Sequence, residues 1–169
     1  MKLLMRAEVI AGDNVVGPAI LVGDSLSRVY RQGDREVAGL RRVSITIRRG
    51  EFVAITGPSG SGKSTLMHLL GGLDKPDEGE VLLEGRSLTS LSDKELATVR
   101  RRRLGFVLQF FNLLPTLTAE ENVAFPMLLD GERFAMERAA QALESVGLGH
   151  RSKHRPSQMS GGEQQRVAL

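Results

Sequence analysis

The sequence predicts an α/β fold in which strands come first and an α-rich arm follows. Three observations carry that expectation. A short apolar run at residues 52–56 enters a glycine-rich stretch, and Leu66, Leu69 and Leu70 leave it at helical spacing. Before the run, Val43, Ile45 and Ile47 alternate with Ser44, Thr46 and Arg48, the period of a half-buried strand. After it, Ser92 with Glu95 and Thr118 with Glu121 fit the capping-box pattern that opens a helix.

Taken in order, residues 1–18 have no clear period and read as a loosely held extension. Residues 19–30 form a first strand, and Gly33 with Asp34 supply turn chemistry. The alternating strand at 43–47 closes at Gly50. Residues 52–56 read as a buried parallel strand, because a short continuous apolar run entering a glycine turn is how such strands look. The helix after Lys63 ends at Gly71 and Gly72. Val81, Leu82 and Leu83 before Gly85 give a strand and turn. The helix opened by Ser92 runs into Arg100, Arg101, Arg102 and Arg103, four cations that suit the negative end of a helix dipole. Residues 104–108 read as another buried strand, ending at Gln109. An apolar loop around Pro115 occupies 110–117. One helix follows Thr118 and another runs from about 132 to 146, stopped by Gly147 and Gly149. Residues 150–158 form a polar loop, and Ser160 reads as the N-cap of a last helix.

Composition narrows the class. The chain has 169 residues, 41% hydrophobic and 25% charged, which describes a folded globular chain rather than a disordered one. A net charge of +3 gives no argument for nucleic acid, and none is expected as a partner. The absence of cysteine excludes disulfides and thiolate metal sites. No apolar run has the length of a bilayer span, and Arg6 and Glu8 interrupt the apolar start, so no signal peptide is expected and the chain is placed on the cytoplasmic side.

The chemistry concentrates at residues 57–65. Gly57, Pro58, Ser59, Gly60, Ser61, Gly62, Lys63 and Ser64 satisfy G-x-x-x-x-G-K-[ST] between a strand and a helix. Glycines let backbone N–H groups curl around an anion, and the helix N-terminus adds its positive end. Lys63 is expected on the β- and γ-phosphates, the Ser64 hydroxyl on Mg²⁺, and Thr65 on the α-phosphate side. The ligand is therefore read as ATP with Mg²⁺. Tyr30, the sole tyrosine, could stack on a purine, though on its own it reads as an ordinary strand residue. Gln109 at a strand end could ligate Mg²⁺ or orient a water, though on its own it reads as a loop residue. Ser160, Gly161, Gly162 and Glu163 offer a second anion site, or simply a capping box.

Together, Tyr30, GPSGSGKST at 57–65, Gln109 and MSGGEQQRVAL at 159–169 resemble the aromatic loop, Walker A, Q-loop and signature of the ABC transporter nucleotide-binding domain. The resemblance runs from about Leu21 to the last residue, leaving 1–20 as an N-terminal extension, with the helical arm at about 110–160. HLLGGLDKPDEGEV at 68–81, LGFVLQFFNLLPTLTAEENVAFPML at 104–128 and HRPSQMSGGEQQRVA at 154–168 are similar to the lipoprotein-releasing and macrolide-export type. The resemblance implies a P-loop NTPase core with an antiparallel β edge subdomain and an α-helical arm. It implies two copies paired head to tail, with Tyr30 on adenine beside Val37, and Lys63 and Gln109 as catalytic residues. Ser64 and Gln109 would then meet Mg²⁺, while Ser160, Gly161, Gly162 and Glu163 would meet the γ-phosphate of the opposite copy. A membrane permease would dock near the loop at 110–117, placing the subunit peripherally on the cytoplasmic face of the membrane.

The departures from the family pattern are specific. Met159 stands where the family usually has Leu, and Glu163 where it often has Gln. The Walker B strand, with its Asp and catalytic Glu, is expected after the signature, and it is not among these residues. His68, His150 and His154 all precede the signature, so none matches the switch histidine. The implied fold is therefore incomplete, lacking the Walker B strand. The resemblance implies that a complete family member hydrolyses MgATP to drive export or lipoprotein release through a membrane permease; a chain of these residues alone is expected to bind ATP without turnover, and to fold poorly or persist only with a partner.

Overall fold

The computed structural model describes residues 7–8, 17–33 and 35–169. The rest of the extension expected over 1–18, and Asp34 of the expected turn, lie outside the described residues. The chain divides into two compact units, residues 1–102 and 103–169.

In the first unit, a long hairpin of β2 (Ala19–Gln32) and β3 (Arg35–Arg48) is extended by β5 (Glu78–Leu83) and β6 (Arg86–Ser87). The sheet is antiparallel throughout, in the order β3-β2-β5-β6. The alternation at 43–48 holds: Ile45 is buried, Val43 and Ile47 are half-buried, and Ser44, Thr46 and Arg48 face solvent. The hairpin is much longer than the alternation alone suggests. It is irregular too, with register shifts flanking Leu26 and Arg28 and positive φ at Ser25 and Arg42. Such bulges add local twist and re-aim side chains.

Helix α1 (Lys63–Leu70) lays Leu66, Leu69 and Leu70 against this sheet, in one cluster with Leu26, Leu40 and Val81. Leu66 is fully buried, and its truncation to alanine would cost about 2–5 kcal/mol. The helix stops where expected: the Gly71 N–H donates to Met67 O and the Gly72 N–H to Leu69 O. The box of Ser92 and Glu95 opens α2 (Asp93–Arg103), with Glu95 Oε2 accepting from the Ser92 N–H at 3.0 Å. Arg100 on its last turns donates to Gly72 O at 2.7 Å.

Two strand expectations need correction. Residues 52–56 are not a buried parallel strand. Only Ala54–Ile55 is strand (β4), it pairs antiparallel with Ala7–Glu8 (β1), and Phe52 is exposed. Residues 104–108 are not strand either: they are coil, with Val107 and Leu108 exposed. An apolar run records a wish for burial, but a strand exists only where another segment supplies its ladder. Among the described residues no neighbour pairs with 104–108.

The second unit is helical. Thr118 caps α3 (Ala119–Leu129) through the expected box with Glu121, and α4 (Ala135–Ser145) packs Ala135 and Ala139 against Ala124. A second cluster joins Ala119, Leu143, Leu148, Met159 and Val167. Gly147, at φ +73, ends the α4 region, and Leu148 N–H returns to Leu143 O at 2.8 Å. The polar loop contains two short 3₁₀ turns, Gly149–Arg151 and Pro156–Gln158. Helix α5 (Gly161–Val167) completes the described chain.

Candidate functional site

The glycine-rich loop lies at the N-terminus of α1 and curls around its own lysine. Lys63 Nζ donates to Gly57 O at 2.9 Å, Pro58 O at 2.8 Å and, more weakly, Ser61 Oγ at 3.4 Å. The ammonium is thus held inside the loop by carbonyls for which an anion's oxygens would compete. Ser64 is exposed on the first helical turn, and Thr65 is half-buried behind it.

The loop is pressed against strand β3. Gly62 has φ +89, a left-handed conformation that side chains resist, and a Cβ there would sit 2.3 Å from Gly39 O. Both features demand glycine. At Gly39 a Cβ would lie 2.6 Å from Tyr30 Cε2 and 3.2 Å from Thr65 Oγ1. Gly39 is therefore a spacer, with the tyrosine ring on one side and the start of α1 on the other. Tyr30 and Val37 are direct cross-strand partners in the hairpin, and both are partly exposed. Tyr30, Val37 and residues 57–65 are thus brought together within the first unit.

Tyr30 does not stand alone. Its hydroxyl donates to Asp74 Oδ2 at 3.1 Å, and the Arg28 guanidinium lies over its ring, 5.2 Å from the centroid. Arg28 grips Asp74 and Asp77. Although burial opposes it, hydrogen bonding to Asp77 and the charges of both carboxylates push the Arg28 pKa up. Asp77 is pulled below the usual carboxylate range, chiefly by the Val29 N–H and then by Arg28. Sequence reasoning missed Gly39 as a spacer and Arg28, Asp74 and Asp77 as a group; their only signal was the run of Asp and Pro after α1.

The remaining candidates lie in the second unit. Gln109 sits in an exposed bend, not at the end of a strand. The loop at 110–117 is irregular as expected, and Asn122 stitches it to α3. Its Nδ2 donates to Leu114 O, Leu117 O and Thr118 O, and its Oδ1 accepts the Leu114 N–H at 2.7 Å. Phe111, Leu113, Leu114, Phe125, Pro126 and Leu169 line an apolar groove there. Ser160 is the N-cap of α5. Glu163 Oε2 accepts from its N–H and its hydroxyl, both at 2.8 Å, while Glu163 Oε1 pairs with Arg151 at 3.2 Å. These bonds hold the Glu163 pKa below its ordinary value, the backbone bond first. Gly161 and Gly162 are exposed and crowd nothing, leaving the first turn of α5 open.

A phosphate loop between a strand and a helix, with an aromatic hairpin beside it, defines a P-loop nucleotide-binding fold. Residues 40–169 match the ABC transporter family model, and the chain belongs to that family. It is 51% identical over 152 residues to the lipoprotein-releasing system ATP-binding protein LolD of Alcanivorax borkumensis, covering 89% of this chain and 67% of that protein. It is 49% identical over 144 residues to the macrolide export ATP-binding/permease protein MacB of Bdellovibrio bacteriovorus, covering 85% of this chain and 22% of that one. Among solved structures, the dimeric ATP-binding cassette MJ0796, described as a post-hydrolysis state bound to ADP and Pi, is similar. It shares 42% identity and a TM-score of 0.80, over 88% of this chain and 66% of that one. The chain spans about two thirds of the length of curated ATP-binding subunits it matches, 62% in one and 67% in another.

Proposed function

We propose that this chain is the ATP-binding module of a transporter of the lipoprotein-releasing or macrolide-export type. The observation that carries the proposal is the loop at 57–65, held against Gly39 with the Lys63 ammonium turned into it at a helix N-terminus. Gly57, Pro58, Ser59, Gly60, Ser61 and Gly62 present backbone to the triphosphate. Lys63 exchanges its two loop carbonyls for β- and γ-phosphate oxygens, and Thr65 supports the α-phosphate. Tyr30 carries adenine on its ring, with Val37 beside it. Ser64, exposed on the first turn of α1, would hold Mg²⁺, which neutralises phosphate charge when bound.

Each copy supplies half a site. Ser160, Gly161, Gly162 and Glu163 present the open end of α5 to the γ-phosphate held by a second copy, in a head-to-tail pair. Dimeric cassettes among the similar structures support this. The capping box fixes Ser160 and Glu163, taking up the Glu163 N–H and leaving the N–H groups of Gly161 and Gly162 for an anion. ATP closes the pair and hydrolysis reopens it, which drives a permease through a population shift. The partner permease docks near the loop at 110–117, and the module sits peripherally on the cytoplasmic face of the membrane. No helix among the described residues is long and apolar enough to cross a membrane.

No Asp or Glu follows Glu163 in these residues. A polypeptide of these 169 residues alone is proposed to hold ATP without turning it over. Titration with a fluorescent ATP analogue, with and without Mg²⁺, tests the proposal. Saturable binding that Lys63→Met weakens by about tenfold or more is expected. No binding, or binding indifferent to Lys63→Met, would reject it.

A further inference from the structure

Tyr30 is held on three sides, and two of the groups that hold it, Asp74 and Arg28, are outside the phosphate loop and its contacts. Its ring edge rests on Gly39, its hydroxyl donates to Asp74 Oδ2 at 3.1 Å, and Arg28 covers the ring at 5.2 Å. Arg28 stands two residues back on the same strand, and so on the same face. It is fixed in turn: Nε donates to Asp74 Oδ2 at 3.0 Å, Nη2 to Asp74 Oδ1 at 2.8 Å, and Nη1 to Asp77 Oδ1 at 2.7 Å. Asp77 Oδ2 accepts the Val29 N–H at 2.7 Å, and the Asp77 N–H donates to Ser27 O at 2.9 Å. The loop after α1 is thereby sewn to β2 at Ser27, Arg28, Val29 and Tyr30 in succession.

A lone exposed ion pair adds little stability. A bidentate fork with a further hydrogen bond to an aromatic hydroxyl does something else: it fixes direction. Helix α1 begins at the phosphate loop and ends just before this network. Its eight residues span roughly 12 Å. One short rigid helix thus connects the phosphate cradle to the clamp on the tyrosine.

We infer that Arg28 and Asp74 are positioning residues for the nucleotide base, holding the Tyr30 ring in one orientation as a preformed stacking platform at a set distance from the phosphate loop. This rests on the proposed role of Tyr30 in base binding. Preorganisation lowers the ordering cost of association, so it acts on affinity for the base and not on affinity for the phosphates.

Tyr30 is the single tyrosine and the chain has no tryptophan, so its intrinsic emission reports this ring alone. The experiment compares the 169-residue chain with Arg28→Gln, Asp74→Asn, Tyr30→Ala and the Asp74→Asn/Tyr30→Ala pair. Three quantities are read: Tyr30 fluorescence anisotropy without ligand in the chains that keep Tyr30, and, in all of them, affinity for ATP and affinity for inorganic tripolyphosphate. Tyr30→Ala should weaken ATP by about 5- to 150-fold, the range of one base–aromatic stack. Arg28→Gln and Asp74→Asn should lower the anisotropy and weaken ATP by about three- to tenfold, a fraction of the full stack. Tripolyphosphate should stay within about twofold, since neither side chain touches the loop. In the Tyr30→Ala background Asp74→Asn should add no further loss. Equal losses for ATP and tripolyphosphate, or a full Asp74→Asn effect in the Tyr30→Ala background, would mark a merely structural role and overturn the inference. Unchanged anisotropy with intact ATP binding overturns the positioning role alone. Failure of the unmodified chain to bind either ligand overturns the functional reading beneath it. If Asp74→Asn loses its far-ultraviolet circular dichroism, Tyr30→Phe carries the test, since it removes the hydroxyl contact alone. About two- to fivefold weaker ATP with unchanged tripolyphosphate supports the inference, and unchanged ATP overturns it.

Discussion

Replacing Gly62 with alanine should damage the phosphate loop more than the same change two residues earlier at Gly60. Both glycines sit at positive φ, +89 and +76, so each alanine incurs about 1–2 kcal/mol of backbone strain. They differ in surroundings. A Cβ at Gly60 meets nothing within 4 Å, whereas a Cβ at Gly62 lies 2.3 Å from Gly39 O. That is roughly 1 Å or more inside ordinary van der Waals separation. The obstacle is backbone of β3 at a bulge, held on both sides by the paired residues Ala38 and Leu40. The total for Gly62→Ala should reach about 2–4 kcal/mol, within the range of strained or overpacked sites. The loop must also shift, and losing one charge-assisted contact to phosphate corresponds to about ten- to hundredfold in affinity. Urea melts and titration with a fluorescent ATP analogue, run on both variants, separate the two contributions. Equal urea midpoints and equal affinities for the two variants would refute the claim that the Gly39–Gly62 contact sets the loop.

Other outcomes follow from single features. Lys63→Met should weaken ATP by about tenfold or more, as loss of a charge-assisted bond does, with little change in the urea midpoint because its loop bonds are partly exposed. Asn122→Ala should cost about 0.5–1.5 kcal/mol by removing the bonds to Leu117 O and the Leu114 N–H, while Leu114 O keeps the Leu117 N–H, read as a lower urea midpoint and faster proteolysis at 110–117. Helicity should fall in acid. The pKa values of Glu95, Glu121 and Glu163 are depressed by the N–H groups of Ser92, Thr118 and Ser160 and then by their hydroxyls. Their capping contribution is complete above the ordinary value of about 4.3 and is lost as pH drops through the lower folded values. Circular dichroism between neutral pH and about pH 2.5 reads this, and Glu163→Gln should remove its share of the pH response.

What was legible in the sequence was local. The capping boxes at Ser92, Thr118 and Ser160 need three consecutive peptide units, and all three formed. The leucines of α1 carried their own period. The hairpin was legible only in part, because residues 35–42 lack alternation and are strand through pairing with β2 across bulges. The runs at 52–56 and 104–108 misled for the converse reason: their apolar character is real, but a ladder partner is a property of another segment. The clamp on Tyr30 joins residues 44 to 49 positions apart, so nothing near Arg28 announces Asp74 or Asp77. Gly39 gave no sign either, since a spacer is defined by what lies on both sides of it.

The central claim is that residues 57–65 form an ATP phosphate cradle served by Lys63. Calorimetric titration of the 169-residue chain with MgATP, beside Lys63→Met, tests it most directly. A saturable isotherm with one nucleotide per chain, lost or weakened about tenfold or more in Lys63→Met, is the result the geometry requires. A flat isotherm for the folded chain, or equal affinity in the two proteins, would contradict it.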